Sequence, residues 1–202
     1  PRLCSSAASD VYKRQDLGLN VLAVDGTTFR CQDSPENAEE FGFISKKLKP
    51  YPQLRLVALM STETRMIMGA AFDGCHVGET TLAKRLFNDI PAHSLTLFDR
   101  CYFSADLLLS WQESAENAHW LMPAKRKLRY EVLEKYAEND MPISPQAQRQ
   151  NPNLPARWEA RLVLYQAPKG EIKGFITSLT DPSRYSLESL LRIYWQRWEI
   201  EE

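Results

Sequence analysis

The stretch Val21-Leu22-Ala23-Val24-Asp25-Gly26 decides how the rest of the chain is read. Four consecutive apolar residues suit a short strand buried on both faces, and Asp25-Gly26 closes the run with a carboxylate. Toward the C-terminus, a polar stretch with Pro35, Pro50 and Pro52 leads to two further runs, Leu54 to Met60 and Thr64 to Phe72. Ser61-Thr62-Glu63 separates them, so they read as a hairpin. Gly78 to Asn88 carries Leu82, Leu86 and Phe87 at helical spacing, Ser94 to Phe98 is a second apolar strand ending in Asp99, and Ala105 to Ala115 is a helix with the Leu107-Leu108-Leu109 cluster. His119 to Met122 is a further strand, stopped by Pro123. Hairpin strands followed by alternating helix and strand predict an α/β fold, a mixed sheet flanked by helices.

Farther along, the character changes. The basic run Lys125-Arg126-Lys127-Leu128-Arg129 precedes a Pro/Gln/Asn-rich segment from Pro142 to Pro155, then two β-like runs, Trp158 to Gln166 and Ile172 to Leu179, joined by Lys169-Gly170. This part reads as an insertion with strands of its own. The final helix follows Asp181-Pro182, with Ser183 or Ser186 as N-cap. In the other direction, residues 1–15 show neither helical nor strand periodicity and are expected to lie outside the fold. The chain stops at Glu202 within a helical pattern that has no C-cap signal, which predicts a piece of a longer protein. The division is therefore 1–15, a leader; 16–123, the first part of a core; 124–180, a β-rich insertion; and 181–202, a helix completing the core.

Composition bounds the function. The chain has 202 residues, 44% hydrophobic and 25% charged, which is the balance of a globular protein. With 25 Lys and Arg against 26 Asp and Glu, any anion-binding surface must be local. No apolar run reaches the roughly 18 residues that span a bilayer, and no secretory signal opens the chain, so a cytoplasmic address without a membrane partner is expected. Cys4, Cys31, Cys75 and Cys101 are scattered without a CxxC pair, so neither a disulfide framework nor a zinc knuckle is suggested. His76, His93 and His119 are isolated and read as structural or surface residues. Glu63 and Glu79, near sheet ends, are assigned to solvent or capping roles.

The final helix carries the chemistry most directly. Leu187, Leu190, Leu191, Tyr194, Trp198 and Glu201 share one helical face, so Glu201 stands where the pattern calls for an apolar residue. A carboxylate aimed at a core needs a partner: Arg197, one turn earlier, or a metal ion. Asp25 and Asp99 each end an apolar strand, where ligand-binding groups of α/β sheets gather. On adjacent strands they would repel unless a cation is shared, and hard oxygen ligands suit Mg²⁺ or Mn²⁺. Taken singly, Asp25-Gly26 is also a hairpin-turn dipeptide, and Asp99-Arg100 a surface ion pair capping a strand.

Three blocks match a known family. Val24-Asp25-Gly26-Thr27-Thr28, Asp99-Arg100-Cys101-Tyr102-Phe103 and Tyr194-x-x-Arg197-x-x-x-Glu201 resemble the catalytic blocks of IS4-type DDE transposases, encoded by bacterial insertion sequences. The Tyr-Arg-Glu spacing is the specific part, and the likeness runs over roughly residues 16–202, with Asn37 to Gly42 and Tyr51 to Arg55 included. Cys101 stands where such proteins often carry glycine, and the Lys expected after Glu201 falls beyond Glu202. The resemblance implies a ribonuclease-H-like fold with a β-rich insertion before the last catalytic helix, and an Asp25, Asp99, Glu201 triad holding two Mg²⁺ ions, or Mn²⁺. It implies nicking and strand transfer at transposon-end and target double-stranded DNA by a homodimer of the full-length protein. Tyr194 and Arg197 would contact a phosphate near the cut. Trp198 would either stack on a flipped base or pack in the core. Arg100, Lys125, Arg126, Lys127 and Arg129 would meet DNA phosphates, as would Lys46, Lys47 and Lys49; a solvated surface helix at 125–129 is the alternative. Two other readings remain. A DNA-binding remnant without activity is one. The other is a haloacid-dehalogenase-like phosphohydrolase, which needs an Asp nucleophile where this chain has Ala23.

Overall fold

The computed structural model describes residues 17–44, 51–145, 154–155, 157–168 and 170–200, with the backbone alone at 198–200. Nine strands form one sheet: β1 (Asn20–Arg30), β2 (Gln53–Ser61), β3 (Ile67–Gly74), β4 (Ser94–Leu97), β5 (Ala118–Pro123), β6 (Tyr130–Val132), β7 (Asp140–Pro145), β8 (Ala160–Gln166) and β9 (Ile172–Thr177). Their spatial order is β3-β2-β1-β4-β5-β9-β8-β7-β6. The first five strands form a ribonuclease-H-like core: β1, β4 and β5 are mutually parallel, while β2 and β3 pair antiparallel outside β1. β4 is buried at every position, as its unbroken apolar run requires of a central strand.

Helices cover both faces. α1 (Pro35–Phe41) is a short helix in the polar stretch, capped by Ser34, whose hydroxyl accepts the Asn37 N–H. α2 (Glu79–Ala83) continues as a 3₁₀ turn over Lys84–Asp89, so the segment expected to be one helix tightens midway. α3 (Ala105–Glu113) is the crossover between β4 and β5, with the Ser104 hydroxyl accepting from Leu107 N–H at 3.4 Å. Leu82, Leu86, Leu107, Leu108 and Trp111 of α2 and α3 pack on one face with Leu22 and Val24 of β1. The fully buried Trp111 also donates its indole N–H to Thr96 Oγ1 at 3.0 Å, pinning α3 to β4.

The opposite face is closed by α4 (Leu187–Tyr194), which runs on as a 3₁₀ segment, Trp195–Ile200. Ser186 is its N-cap, accepting from Ser189 N–H at 3.2 Å. Leu190, Ile193 and Tyr194 of α4 meet Leu95, Leu97, Leu121 and Phe175 of the sheet. The buried stripe thus includes Ile193 and then Arg197, which is 5% exposed, while Leu191 is only partly buried. The side chain of Trp198 and all of Glu201 lie outside the described residues.

The strands of the insertion continue the core sheet rather than closing on one another, because β9 pairs antiparallel with β5 through Leu121↔Thr177 and Met122↔Ile176. The Pro-rich segment contributes a strand, contrary to expectation. β7 carries Pro142 and Pro145 near the outer edge, where its neighbour β6 is only three residues long and demands few ladder bonds. No helix among the described residues is long and apolar enough to cross a membrane.

Candidate active site

Asp25 does not close β1 but lies in mid-strand, opposite Ala58 of β2. The cause is a change of partners along β1. β4 pairs with it only over Asn20 to Ala23, the last pair being Ala23↔Leu97, whereas β2 stays paired out to Arg30. Beyond Ala23 that edge of β1 has no strand partner among the described residues. Two residues past that last pair come Asp25 on one strand and Asp99 on the other, so the parallel register brings both to the same level. Asp99 keeps extended backbone (φ −77°, ψ 162°), and the two-residue step puts it on the face of Leu95 and Leu97, with Asp25 on the face of Ala23. Both carboxylates thus belong to the α4 side of the sheet.

Asp99 caps the 3₁₀ turn Arg100–Tyr102, accepting the Cys101 N–H at 3.3 Å. Partial burial works to raise its pKa, but the Arg100 and Cys101 amides, the Cys101 thiol and the charge of Arg197 outweigh it and hold the carboxyl below its usual range. The Cys101 thiol is pushed up to about 12, by partial removal from water first and then by the neighbouring Asp99 and Glu79 carboxylates. Tyr194 is 6% exposed; its hydroxyl donates to Phe98 O at 3.3 Å and burial pushes it up to about 12. Tyr194 and Arg197 are therefore packed beneath the Asp99 loop, with partners inside the fold.

The exposed cations lie elsewhere. Residues 125–129 form a turn between β5 and β6, not a surface helix. Arg100, Lys125, Arg126 and Lys127 line one groove beside Cys101. It adjoins a second, of about 680 Å³, where Arg100, Lys125 and Arg126 face Tyr130 of β6 and Lys173 of β9 above Leu162 and Leu164 of β8. Lys125 is fixed in place, with Nζ donating to Phe103 O at 3.4 Å and lying 4.8 Å from the Phe103 ring centroid. Arg129 is exposed but does not line either groove. Lys46, Lys47 and Lys49 lie outside the described residues.

Glu79, assigned from sequence to solvent or capping, sits against the cleft. Its Oε2 is 3.7 Å from Cys101 Sγ and its Oε1 4.0 Å from Arg55 Nε. It lies directly over Gly26, where an added Cβ would stand 2.8 Å from Glu79 Cδ and 3.1 Å from the Tyr102 hydroxyl. That hydroxyl is buried without a hydrogen-bond partner among the described residues. The glycine after Asp25 is therefore a packing requirement rather than a turn signal. Among the described residues no three His, Cys, Asp or Glu side chains gather closely enough to hold a metal ion. Asp25 and Asp99 are the pair able to offer hard oxygen donors at one level of the sheet. Ala23, which is 0% exposed, stands where a phosphohydrolase of the haloacid-dehalogenase type has its nucleophile.

Comparisons with known proteins agree with this topology. The piggyBac transposase, in its synaptic complex with hairpin DNA, superposes with a TM-score of 0.52 over 96% of this chain and 42% of its own, at 9% identity. Transposase InsG of insertion sequence element IS4, from Escherichia coli K12, is 34% identical over 190 residues, which is 91% of this chain and 43% of that protein. InsZ of the same strain is 38% identical over 120 residues, 58% of this chain and 40% of its own. The chain thus spans less than half the length of the curated relatives it matches. The model of the transposase DDE domain matches residues 16–202, which include both register-matched aspartates and the whole of α4, and the chain accordingly belongs to the DDE transposase family, among relatives of the IS4 type.

Proposed function

We propose that this chain is the catalytic core of a DNA transposase that cuts and joins strands at insertion-sequence ends by metal-dependent phosphoryl transfer. The observation that carries the reading is the parallel register that levels Asp25 with Asp99 where β1 and β4 part. Asp25, Asp99 and Glu201 would hold two Mg²⁺ ions, or Mn²⁺; hard carboxylate oxygens, one of them kept ionised by its surroundings, are a donor set that fits such ions. Bound there, the ions supply the acidity that turns a water or 3′-hydroxyl into a nucleophile and the charge that stabilises the leaving oxygen.

The chain's own residues do the rest. Arg197 and the amides of Arg100 and Cys101 keep Asp99 deprotonated and fixed. Arg100, Lys125, Arg126 and Lys127, with Arg129 nearby, would hold the phosphates of transposon-end and target DNA beside the cleft. Tyr194 and Arg197 would set the floor of that cleft from below. Trp198 would complete the same helix, and the full-length protein would act as a homodimer.

The test is Mg²⁺-dependent nicking of the cognate transposon end by the full-length protein beside Asp25→Asn, Asp99→Asn and Glu201→Gln. Each variant is expected to lose cutting while retaining DNA affinity. Variants that cut as well as the parent overturn the metal-site assignment, and a parent that binds DNA without cutting marks an inactive remnant.

A further inference from the structure

Arg161 of β8 is fully buried, at 0% exposure, in a chain whose other cations mostly face water. A guanidinium has five N–H donors and no means of losing its charge, so it must be met by acceptors wherever it is placed. Here Nε donates to Asp140 Oδ1 at 2.7 Å and Nη2 to Asp140 Oδ2 at 2.5 Å, a planar two-point pair with β7. Nη1 turns the other way and donates to Tyr185 O at 2.6 Å and Leu179 O at 3.4 Å. One side chain therefore ties the outer strands of the sheet to both ends of the connection between β9 and α4.

The placement has two sides. Leu162 and Leu164 on β8 underlie the basic groove, whereas Val163, between them, packs with the α4 layer. Arg161 shares the parity of Val163, so β8 presents groove floor on one face and this four-bonded anchor on the other. Past Tyr185 comes the Ser186 cap, then α4, then Arg197, whose charge acts on Asp99. The path from β8 to the cleft runs through the Arg161–Tyr185 hydrogen bond, the Ser186 cap and one short helix, and ends in the charge of Arg197.

We propose that Arg161, paired with Asp140, is a positioning residue for strand cleavage: it fixes α4 in register with Asp99 and makes that register depend on the strands that wall the DNA groove. The inference rests on the transposase reading above. A buried pair of this kind is poor evidence for stability alone, since well-packed apolar residues of similar size often replace one without loss. That property separates position from stability.

The experiment uses the full-length protein and three variants: Arg161→Lys, Asp140→Asn, and the apolar double variant Arg161→Met/Asp140→Leu. Thermal denaturation and transposon-end affinity are measured first, then single-turnover nicking at saturating DNA with Mg²⁺, and amide hydrogen exchange across residues 187–197. The double variant is expected to keep a cooperative transition near the parental temperature, the carbonyls of Tyr185 and Leu179 that lose a donor offsetting the desolvation saved, and to bind DNA as the parent does. Its nicking rate is expected to fall about 100-fold, the cost of roughly an ångström of misplacement. Protection of the α4 amides is expected to be lost while that of β4 and β5 is kept. A double variant that nicks at the parental rate, or keeps its α4 protection, overturns the inference while leaving the function intact. A parent that never nicks DNA overturns the function and the inference with it.

Discussion

Substituting alanine at Gly26 sets two effects of opposite sign against each other. In a strand interior, alanine is intrinsically better than glycine by about 0.5–1 kcal/mol, because the unfolded chain loses less freedom. If the site had room, Gly26→Ala would raise stability. The added Cβ instead meets Glu79 Cδ at 2.8 Å, Glu79 Cγ at 2.9 Å and the Tyr102 hydroxyl at 3.1 Å. Glu79 is one-third exposed and able to swing away, giving up its long contact with Arg55, a surface pair worth about 0–1 kcal/mol. Tyr102 is 0% exposed and packed against Phe98, so it has nowhere to go. Overpacking of this sort costs about 1–3 kcal/mol, and a net loss is expected. Set against the intrinsic gain, the net is a loss of up to about 2.5 kcal/mol, which for a chain of this size lowers the melting point by up to about 10 °C. Glu79→Ala removes the nearer obstacle, so the double variant should lose less than the sum of the single variants by at least about 0.5 kcal/mol. Thermal denaturation of the four proteins closes the cycle. A stabilised Gly26→Ala, or strictly additive losses, would refute the packing argument.

Other consequences are open to measurement. Burial first, and the charge of Arg184 second, lower the pKa of His119 below its ordinary 6.5. The unfolded chain takes up a proton that the folded ring refuses, so stability is complete above pH about 6.5 and declines below it; His119→Gln should flatten the melting temperature between about pH 7 and 5. In its neutral form the ring can accept from Ser178 at Nδ1 (3.1 Å) while donating to Asn117 Oδ1 from Nε2 (2.9 Å), and an unchanged pH slope in the variant would remove it as the cause. Cys101, although the more exposed thiol, should alkylate more slowly than Cys31 at pH 8, and Asp99→Asn should speed it; equal rates contradict the carboxylate pressure on its sulfur. Neutralising Lys125 or Arg126 should weaken DNA binding regardless of sequence and reduce the salt slope of the affinity by about 0.9 each, whereas an unaltered slope places the phosphates elsewhere.

Much of the core was legible because its signals are local. The apolar runs at Val21 and Ser94 became adjacent parallel strands, Ser186 became the cap of α4, and Ala105 to Glu113 became the crossover helix. What escaped depended on partners distant in sequence. Nothing near Asp25 tells that β1 exchanges a two-sided ladder for a one-sided one after Ala23, so the strand was expected to stop where it only loses a neighbour. Periodicity placed Tyr194 on an apolar face, but it could not tell that Arg197 shares the buried side, because a charged residue does not count toward an apolar stripe. Glu79 was read only as a solvent or capping residue, since its further contacts are with Gly26 and Cys101, which are 53 and 22 positions away. Pro142 and Pro145 argued against a strand and were overruled by their position near a sheet margin.

The junction of β5 with β9 has a consequence for where such a core can grow. At about 4.8 Å per strand, β9 lies two spacings from β4 and three from β1, about 10 and 14 Å, whereas a strand added outside β3 would lie four and three spacings away, about 19 and 14 Å. Polypeptide appended along β3 would be separated from Asp25 and Asp99 by a hairpin. Polypeptide appended along β5 arrives beside them, which makes that margin the direction in which an added segment gains leverage over the chemistry without rebuilding the part that performs it.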